Sequence, residues 1–270
     1  MKWINGLPPL MGPRDEPASC AAEFVTRGYE GEFALCPAWD ADLVERVALA
    51  GFMPLSARLA AWPEPRTALL PKLHVARCLM DPVRTRAGST VARESRRYTL
   101  SANARFEAVL AACVAVHGED WLASELVAAF CRLHAERAAR TVRFVSFELS
   151  RDGEMVAGEF GYIVGASYAS LSGFRTVSGA GTVQLAALGG LLAGSGVRVW
   201  DLGMPVAYKA ALGSVEYPRE RYLRLLRTAY AGPVPALVET MPPVPAGELV
   251  AALRAATAGR ACKPDRRIVQ

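Results

Sequence analysis

The sequence lacks the features that mark several large classes of protein. No stretch approaches the roughly 18 uninterrupted apolar residues of a membrane-spanning helix. The first residues, MKWINGLPPLMGPRDEP, place prolines and charges where a secretory signal needs an apolar block. We therefore expect a cytoplasmic protein with no membrane partner.

Cysteine and histidine are sparse and scattered. The six cysteines show no C-x-x-C spacing, and the three histidines lie in separate segments. Zinc motifs and disulfide frameworks depend on such spacing, so the sequence predicts neither. We expect reduced, mostly buried thiols, and we expect no metal or other cofactor.

Apolar residues are plentiful, and positive charge is in slight excess. At 270 residues and 52% hydrophobic composition, the chain is long enough for one large domain or for a core with a smaller companion. The net charge of +5 is concentrated between Arg66 and Arg97, where only Asp81 and Glu94 oppose a series of basic residues. Arginine suits phosphate because its planar guanidinium can donate two hydrogen bonds to one phosphate group. Composition alone equally allows these arginines to form an ordinary solvated surface.

The stretch from Met155 to Pro218 carries the clearest pattern. Two runs rich in Val, Ile, Tyr and Phe predict adjacent strands, a Gly- and Ser-rich turn opens an apolar helix, and Val197–Leu202 predicts a third strand. Asp201 falls at the carboxyl end of that strand. Ligand groups of α/β proteins usually collect there, so Asp201 is the first candidate for a functional role.

The rest of the chain gives a coarse order of elements. Residues 1–38 predict extended segments and turns, and a helix follows at 40–49 with an Asp N-cap and Gly51 at its end. Further predicted elements are a strand turning into a short helix before Pro82, a strand at 96–101, helices at 103–116 and 120–139, a hairpin around Arg151-Asp152-Gly153, a basic helix after Pro218, and a proline-rich link with a short helix and a basic tail.

This order predicts an α+β fold, a GNAT-like acyltransferase domain with a small N-terminal domain. The usual mark of the GNAT type is a V-shaped opening between two central strands, where acyl donors bind. We place a boundary near Trp62–Pro65. The predicted domains are residues 1–64 (small N-terminal domain), 65–232 (catalytic domain) and 233–270 (C-terminal extension).

With these elements laid out, a series of short motifs resembles the leucyl/phenylalanyl-tRNA–protein transferases, bacterial enzymes that move an amino acid from aminoacyl-tRNA to the N-terminus of a protein. AGFMPLS resembles the family's G-I-F-P-W-F, WPEPR its S-P-D-P-R, LPKLHVARCLM its W-P-x-x-L-H-I-S-R-S-M, and ALGSVEYPRERYLRLL its S-L-G-A-x-x-I-P-R-x-x-Y-L. MVAGEFGYIVG and WDLGM resemble L-V-G-G-x-Y-G-V-x-x-G and I-D-C-Q-V. Each motif is weak, but the series runs in the right order over roughly residues 40–226.

The resemblance implies roles for individual residues. Asp201 matches the aspartate of I-D-C-Q and would accept or orient the proton of the attacking amine. The residues that fall on the family's aminoacyl and acceptor pocket are Trp121, Glu159, Tyr168, Leu171, Ser172, Leu185, Leu188, Trp200 and Gly203. Those that match its surface for the tRNA acceptor stem are Lys72, Arg77, Arg84 and Arg86.

Several positions depart from the family pattern. The acid that helps to hold the acceptor is Leu171 here, and the Gln two residues after the aspartate is Gly203. Conversely, Glu159 is an acid where the family has an apolar residue. A carboxylate there needs a cationic partner: the acceptor's basic side chain, a cationic donor amino acid, or an ordinary ion pair with Arg175 or Arg198.

Three functions follow from the resemblance and the fold. The first is transfer of Leu, Phe or Met from aminoacyl-tRNA to an acceptor N-terminus that begins with a basic residue, as in an N-degron pathway, by a monomer. The second is acyl-CoA-dependent transfer, which the glycine-rich Ser178–Thr182 turn allows but without the usual leading Gln or Arg. The third is a catalytically silent relative that only binds tRNA or protein.

Overall fold

Helices and strands alternate along the chain in a computed structural model that describes residues 1–60 and 66–260. The first part contains α1 (Pro17–Thr26), α2 (Ala41–Leu49), β1 (Met53–Leu59), β2 (Arg66–Lys72), β3 (Ala76–Met80), α3 (Ser89–Glu94), β4 (Thr99–Ala102), α4 (Phe106–His117) and α5 (Ser124–Ala135). The second part contains β5 (Arg143–Arg151), β6 (Glu154–Val164), β7 (Ser167–Arg175), α6 (Ala180–Gly194), β8 (Val199–Asp201), α7 (Ala207–Leu212), β9 (Val215–Pro218), α8 (Arg219–Tyr230), β10 (Met241–Pro245) and α9 (Ala246–Arg260).

The N-terminal region is more helical than its sequence predicts. The expectation of only extended segments over residues 1–38 is wrong, because α1 buries Cys20, Ala21 and Phe24 on one face and begins with a proline, which suits the first turn. The prediction for α2 is confirmed: the side chain of Asp40 accepts a hydrogen bond of 2.8 Å from the backbone N–H of Leu43.

Strands β1 and β2 form an antiparallel pair that runs from Met53 opposite Lys72 to Leu59 opposite Arg66. The boundary predicted near Trp62–Pro65 lies outside the described residues, and the division into three domains stays a prediction. The expected short helix before Pro82 is wrong: the segment forms β3, followed by a single 3-10 turn at Pro82–Arg84. A short apolar run fits either element, and here pairing with distant strands decides for the strand.

The large sheet has eight strands in the described part of the chain, in the order β10-β4-β5-β6-β7-β8-β3-β9. Its longest hairpin joins β5 to β6 through Asp152 and Gly153, which have φ of 53° and 85°, as the turn signal predicts. The predicted strand, strand, helix, strand unit is confirmed as β6, β7, α6 and β8.

Helices cover both faces of this sheet. One apolar cluster joins α4 and α5 to the sheet through residues such as Phe106, Phe130 and Phe160, and the other joins α6 through residues such as Leu188, Tyr168 and Trp200. These two layers bury the strands between them, which is the α+β arrangement expected from the sequence.

The end of the described chain closes on the same sheet. The proline-rich segment that was expected to be a link is the edge strand β10, in which Val244 lies opposite Leu100 of β4. Prolines are tolerated there because an edge strand can leave its outer N–H positions unpaired. Among the described residues no helix is both long and apolar enough to cross a membrane.

Candidate active site

The central strands part at one point in the sheet. Strands β7 and β8 are the parallel pair, and they match for three residues only, ending with Ala169 opposite Asp201. Beyond that point β7 continues to Arg175 while β8 stops and the chain turns into a loop. An extra residue, Leu171, interrupts the pairing of β7 with β6 at the same level, between Ser170 and Ser172. We refer to this opening as the split.

Asp201 lies at the split, but its carboxylate is fully engaged within the protein. Oδ1 accepts hydrogen bonds from Nε of Arg77 at 3.1 Å and from the backbone N–H of Gly203 at 2.9 Å, and Oδ2 accepts from Nη2 of Arg77. Both side chains are about 1% exposed. Such a two-pronged pair fixes geometry more firmly than a single contact. Asp201 therefore has no free edge toward an incoming amine.

Arg77 is held from three sides. Its Nη1 donates to Nδ1 of His74 at 3.0 Å, and its guanidinium lies 4.8 Å from the ring centre of Tyr222. Burial, and next the charge of Arg77, lower the pKa of His74 to about 2, so this imidazole is neutral and accepts the hydrogen bond. The expectation that Arg77 contacts tRNA phosphate needs correction, because its side chain is enclosed between β3, β8 and α8.

The loop after β8 is fixed by a lysine that the sequence analysis did not single out. Nζ of Lys209 donates to the carbonyl of Leu202 and, at 3.0 Å, to that of Met204. The same Nζ lies 3.9 Å from where a Cβ on Gly203 would stand, and Gly203 has φ of 77°. Burial lowers the pKa of Lys209. A lone lysine in a short helix carries no sequence signal; only the fold brings it to the split.

Glu159 lies on β6 beside the split, and its partners are hydroxyl groups. Its Oε1 accepts from Tyr168 at 2.8 Å and from Ser170 at 2.6 Å, and Ser170 in turn accepts from Nε1 of Trp200 at 2.9 Å. Burial raises the pKa of Glu159. The cationic partner expected within the chain is missing: in the described residues no salt bridge includes Glu159, and the strand face that carries it is buried rather than exposed.

The other predicted pocket residues divide between the two faces of the sheet. Tyr168, Leu188 and Trp200 are buried in the cluster beneath α6, and Leu185 packs against the same cluster. Trp121 and Leu171 pack against the cluster beneath α4 and α5. Ser172 also belongs to that side, near Cys113 of α4, whose pKa burial raises to about 12. The structure thus brings Glu159 together with Tyr168 and Trp200, but not with Leu171.

The predicted tRNA-binding residues also separate. Lys72 forms a salt bridge of 3.2 Å with Glu32 and lies 5.0 Å from the ring centre of Phe33. Arg84 and Arg86 are exposed at the C-terminal end of α7, where the backbone N–H of Arg86 donates to the carbonyl of Leu212 at 2.8 Å. Of the four predicted tRNA-binding residues, only Arg84 and Arg86 are exposed, and they lie beside α7, whose Lys209 holds the loop after β8.

A hollow of about 290 Å³ opens beside α7. It is lined by Cys78, Pro205, Val206, Ala207, Ala210, Ser214 and Glu216. Exposed apolar side chains stand in the same region, Met204 and Tyr208 among them. The accessible surface of the site thus lies between the split, the loop after β8 and α7.

Comparison with known proteins identifies the family. A family model described as leucyl/phenylalanyl-tRNA protein transferase matches residues 79–227. The curated leucyl/phenylalanyl-tRNA–protein transferase of Chromohalobacter salexigens is 30% identical over 230 residues, 82% of this chain and 84% of its own. That of Pseudomonas putida is 31% identical over 168 residues, 61% of this chain and 68% of its own. The chain belongs to the leucyl/phenylalanyl-tRNA–protein transferase family.

Similarity to solved structures is weaker. A conserved protein from Bacteroides thetaiotaomicron covers 85% of this chain and 76% of its own at 14% identity, with a TM-score of 0.36. A score at that level does not define a shared fold.

Proposed function

We propose that this protein is an aminoacyltransferase that moves an amino acid from aminoacyl-tRNA to the N-terminus of an acceptor protein. The family to which the chain belongs supports the reaction. The observation that carries the proposal for this chain is the split, where Asp201, the loop held by Lys209, and Glu159 lie at the end of a parallel strand pair. The acceptor's first residue and the Leu, Phe or Met donor stay predictions.

The same split supports a GNAT-type catalytic domain. Strand, two helices, hairpin, strand, helix and strand occur in that order as β4, α4, α5, β5, β6, β7, α6 and β8. In this proposal residues 65–232 form the catalytic domain, residues 1–64 a small N-terminal domain and residues 233–270 a C-terminal extension. An aminoacyl-tRNA substrate would place the enzyme in the cytoplasm, and we expect it to act as a monomer.

The reaction depends more on the positioning of the two substrates than on a strong catalytic acid or base. The aminoacyl ester is already activated, so direct attack by the acceptor amine suffices and no residue need be acylated. Holding ester and amine in register converts a reaction between two molecules into an effectively intramolecular one. In this proposal Asp201 is a positioning residue: paired with Arg77, it fixes the loop from Leu202 to Met204 through the N–H of Gly203.

The proton of the amine needs a different acceptor from the one that the sequence suggested. Both oxygens of Asp201 are occupied by protein donors, so the proton of the amine passes either to solvent or to the leaving group. The leaving group is the ribose oxygen of the ester, which becomes a hydroxyl when its bond to the acyl carbon breaks. This assignment keeps Asp201 charged and paired throughout the reaction, which a buried carboxylate beside a buried guanidinium favours.

Transfer assays test the proposal directly. The protein is incubated with labelled leucyl-, phenylalanyl-, methionyl-, lysyl- and arginyl-tRNA, each with peptides that begin with Arg, Lys or Ala. We expect label to appear on a peptide N-terminus from at least one donor. Binding of CoA with acyl transfer and without aminoacyl transfer would replace the proposal by the acyl-CoA alternative. Salt-dependent tRNA binding without any transfer would show a silent relative.

A further inference from the structure

Glu159 is a buried carboxylate that forms no salt bridge within the described part of the chain. Its side chain belongs to a residue that is 5% exposed, and no salt bridge in the described residues includes it. Buried carboxylates are usually paired with a cation, because losing hydration costs free energy that hydroxyl donors alone recover only in part. Tyr168 and Ser170 supply hydroxyl donors only.

One oxygen of Glu159 remains open. Both hydrogen bonds go to Oε1, and no described residue donates to Oε2. In the described residues, the only buried polar side-chain atoms without a hydrogen-bond partner are Nε2 of Gln184 and Oγ of Ser214. Oε2 is not among them, and Glu159 as a whole is 5% exposed, so any surface that this oxygen presents is small. The network therefore holds the carboxylate by one oxygen and leaves the other without a donor among the described residues.

The surroundings of this carboxylate are aromatic. The hydroxyl of Tyr168 donates directly to Oε1 of Glu159, and the indole of Trp200 donates to Ser170, which in turn donates to the same oxygen. Tyr208, which is 59% exposed, is close enough for the charge of Glu159 to contribute to the raised pKa of its phenol. A carboxylate among aromatic rings is the chemistry that binds ammonium and guanidinium groups.

The face of the sheet distinguishes the possible sources of such a cation. Glu159 lies with Tyr168 and Trp200 beneath α6, whereas Leu171, where the family's acceptor-binding acid would stand, packs on the opposite side. Glu159 is therefore not a substitute for that acid. It shares its face with the apolar side chains of Leu185 and Leu188, a setting for a long side chain with an apolar stem and a charged tip.

We propose that Glu159 is a specificity-determining residue that binds the cationic tip of the donor amino acid, a lysyl or arginyl side chain. This inference rests on the proposed function and names its donor class, a cationic donor in place of the Leu, Phe or Met that the resemblance implies. The nearby cation of the protein, Lys209, does not satisfy Glu159, because its Nζ bonds to the carbonyls of Leu202 and Met204.

The test compares donors in single-turnover transfer assays. Wild-type protein, Glu159→Gln and Glu159→Met are given lysyl-, arginyl- and leucyl-tRNA with one acceptor peptide. We expect the wild type to prefer a cationic donor, and either variant to lose about ten- to hundredfold in transfer from it, the loss typical of a charged hydrogen bond. The rate of transfer from leucyl-tRNA should stay unchanged in Glu159→Gln and increase in Glu159→Met. Glu154→Gln, an exposed acid at the start of the same strand, is the matched control and should change nothing.

The pH profile gives a second readout. Burial raises the pKa of Glu159, and Tyr168, Ser170, Tyr208, Lys209 and Cys113 are the titratable or hydrogen-bonding groups around it. Because only the carboxylate form pairs with a cation, the apparent affinity for the cationic donor should fall as pH drops through that raised pKa. The affinity for leucyl-tRNA should not follow this profile, and the dependence should vanish in Glu159→Gln.

The possible outcomes distinguish a failure of this inference from a failure of the proposed function. Absence of transfer from every aminoacyl-tRNA contradicts the proposed function itself. Transfer that prefers leucine in the wild type and does not respond to Glu159→Gln overturns the inference alone. A response of Glu159→Gln that follows the first residue of the acceptor peptide, Arg against Ala, rather than the donor, also overturns it and assigns the cation to the acceptor.

Discussion

Arg77 and Asp201 form a buried ion pair that ties strands from distant parts of the chain together. Removing one partner of such a pair leaves a charge without hydration or counter-charge, which is the costly event. Surface pairs behave differently, because water replaces the lost partner. Arg224 and Glu220 on α8 form such a pair, with both side chains more than half exposed.

We therefore expect Arg77→Met to lower the free energy of unfolding by about 3–5 kcal/mol, whereas Arg224→Met should change it by less than about 1 kcal/mol. Urea unfolding followed by circular dichroism measures both. Asp201→Asn combined with Arg77→Met should cost less than the sum of the single changes. If Arg77→Met unfolded no more easily than Arg224→Met, the buried pair would not have the structural role assigned here.

At the scale of elements, helix α6 depends on two adjacent glycines. A Cβ on Gly189 would collide with the side chain of Thr85, and one on Gly190 would collide with the backbone carbonyl of Leu249 in α9. Glycine usually weakens a helix interior, so two in succession point to close approach rather than to propensity. This contact joins α9 to the helix that covers the split.

Gly190→Ala tests that contact. We expect it to destabilise the protein by about 1–3 kcal/mol, because the carbonyl of Leu249 cannot move aside as a flexible side chain would. Gly194→Ala, in the same helix with nothing within 4 Å of its added Cβ, should instead stabilise by up to about 1 kcal/mol. Chemical denaturation measures the free energy of unfolding of both variants. If Gly190→Ala and Gly194→Ala changed it equally, α9 would not constrain α6.

For the whole molecule, the distribution of charge bears on tRNA binding. The basic residues between Arg66 and Arg97 form one cluster in sequence, but the fold separates them. Arg77 is buried and Lys72 pairs with Glu32, whereas the exposed members are Arg66, Arg84, Arg86, Arg93, Arg96 and Arg97. Only exposed cations release counterions from a nucleic acid.

Accordingly, Arg84→Gln and Arg86→Gln should each weaken tRNA binding and lower the slope of log K against log salt by about 1. Arg132→Gln, an exposed arginine on α5 across the sheet, is the control and should leave the slope unchanged. Fluorescence anisotropy with labelled tRNA over a range of salt concentrations measures the slopes. Equal slopes for all three variants would place the phosphate path elsewhere.

Local patterns in the sequence determined much of this protein. The Asp40 cap, the Asp152-Gly153 turn and the β-rich runs that form β6 and β7 are set by residues near one another in the chain, so composition and turn chemistry predict them. The position of Asp201 at a strand end and the unusual acid at Glu159 were likewise visible in the sequence.

Only the tertiary structure determined which partners the side chains of Asp201 and Glu159 contact. Arg77 reaches Asp201 across 124 residues, β3 inserts between β8 and β9, and β10 joins the sheet beside β4. Lys209 reaches the loop after β8 only through the fold of α7. The physical reason is that strand pairing and the burial of a charge depend on contacts between segments far apart in sequence, and local propensity does not encode which segment supplies the partner.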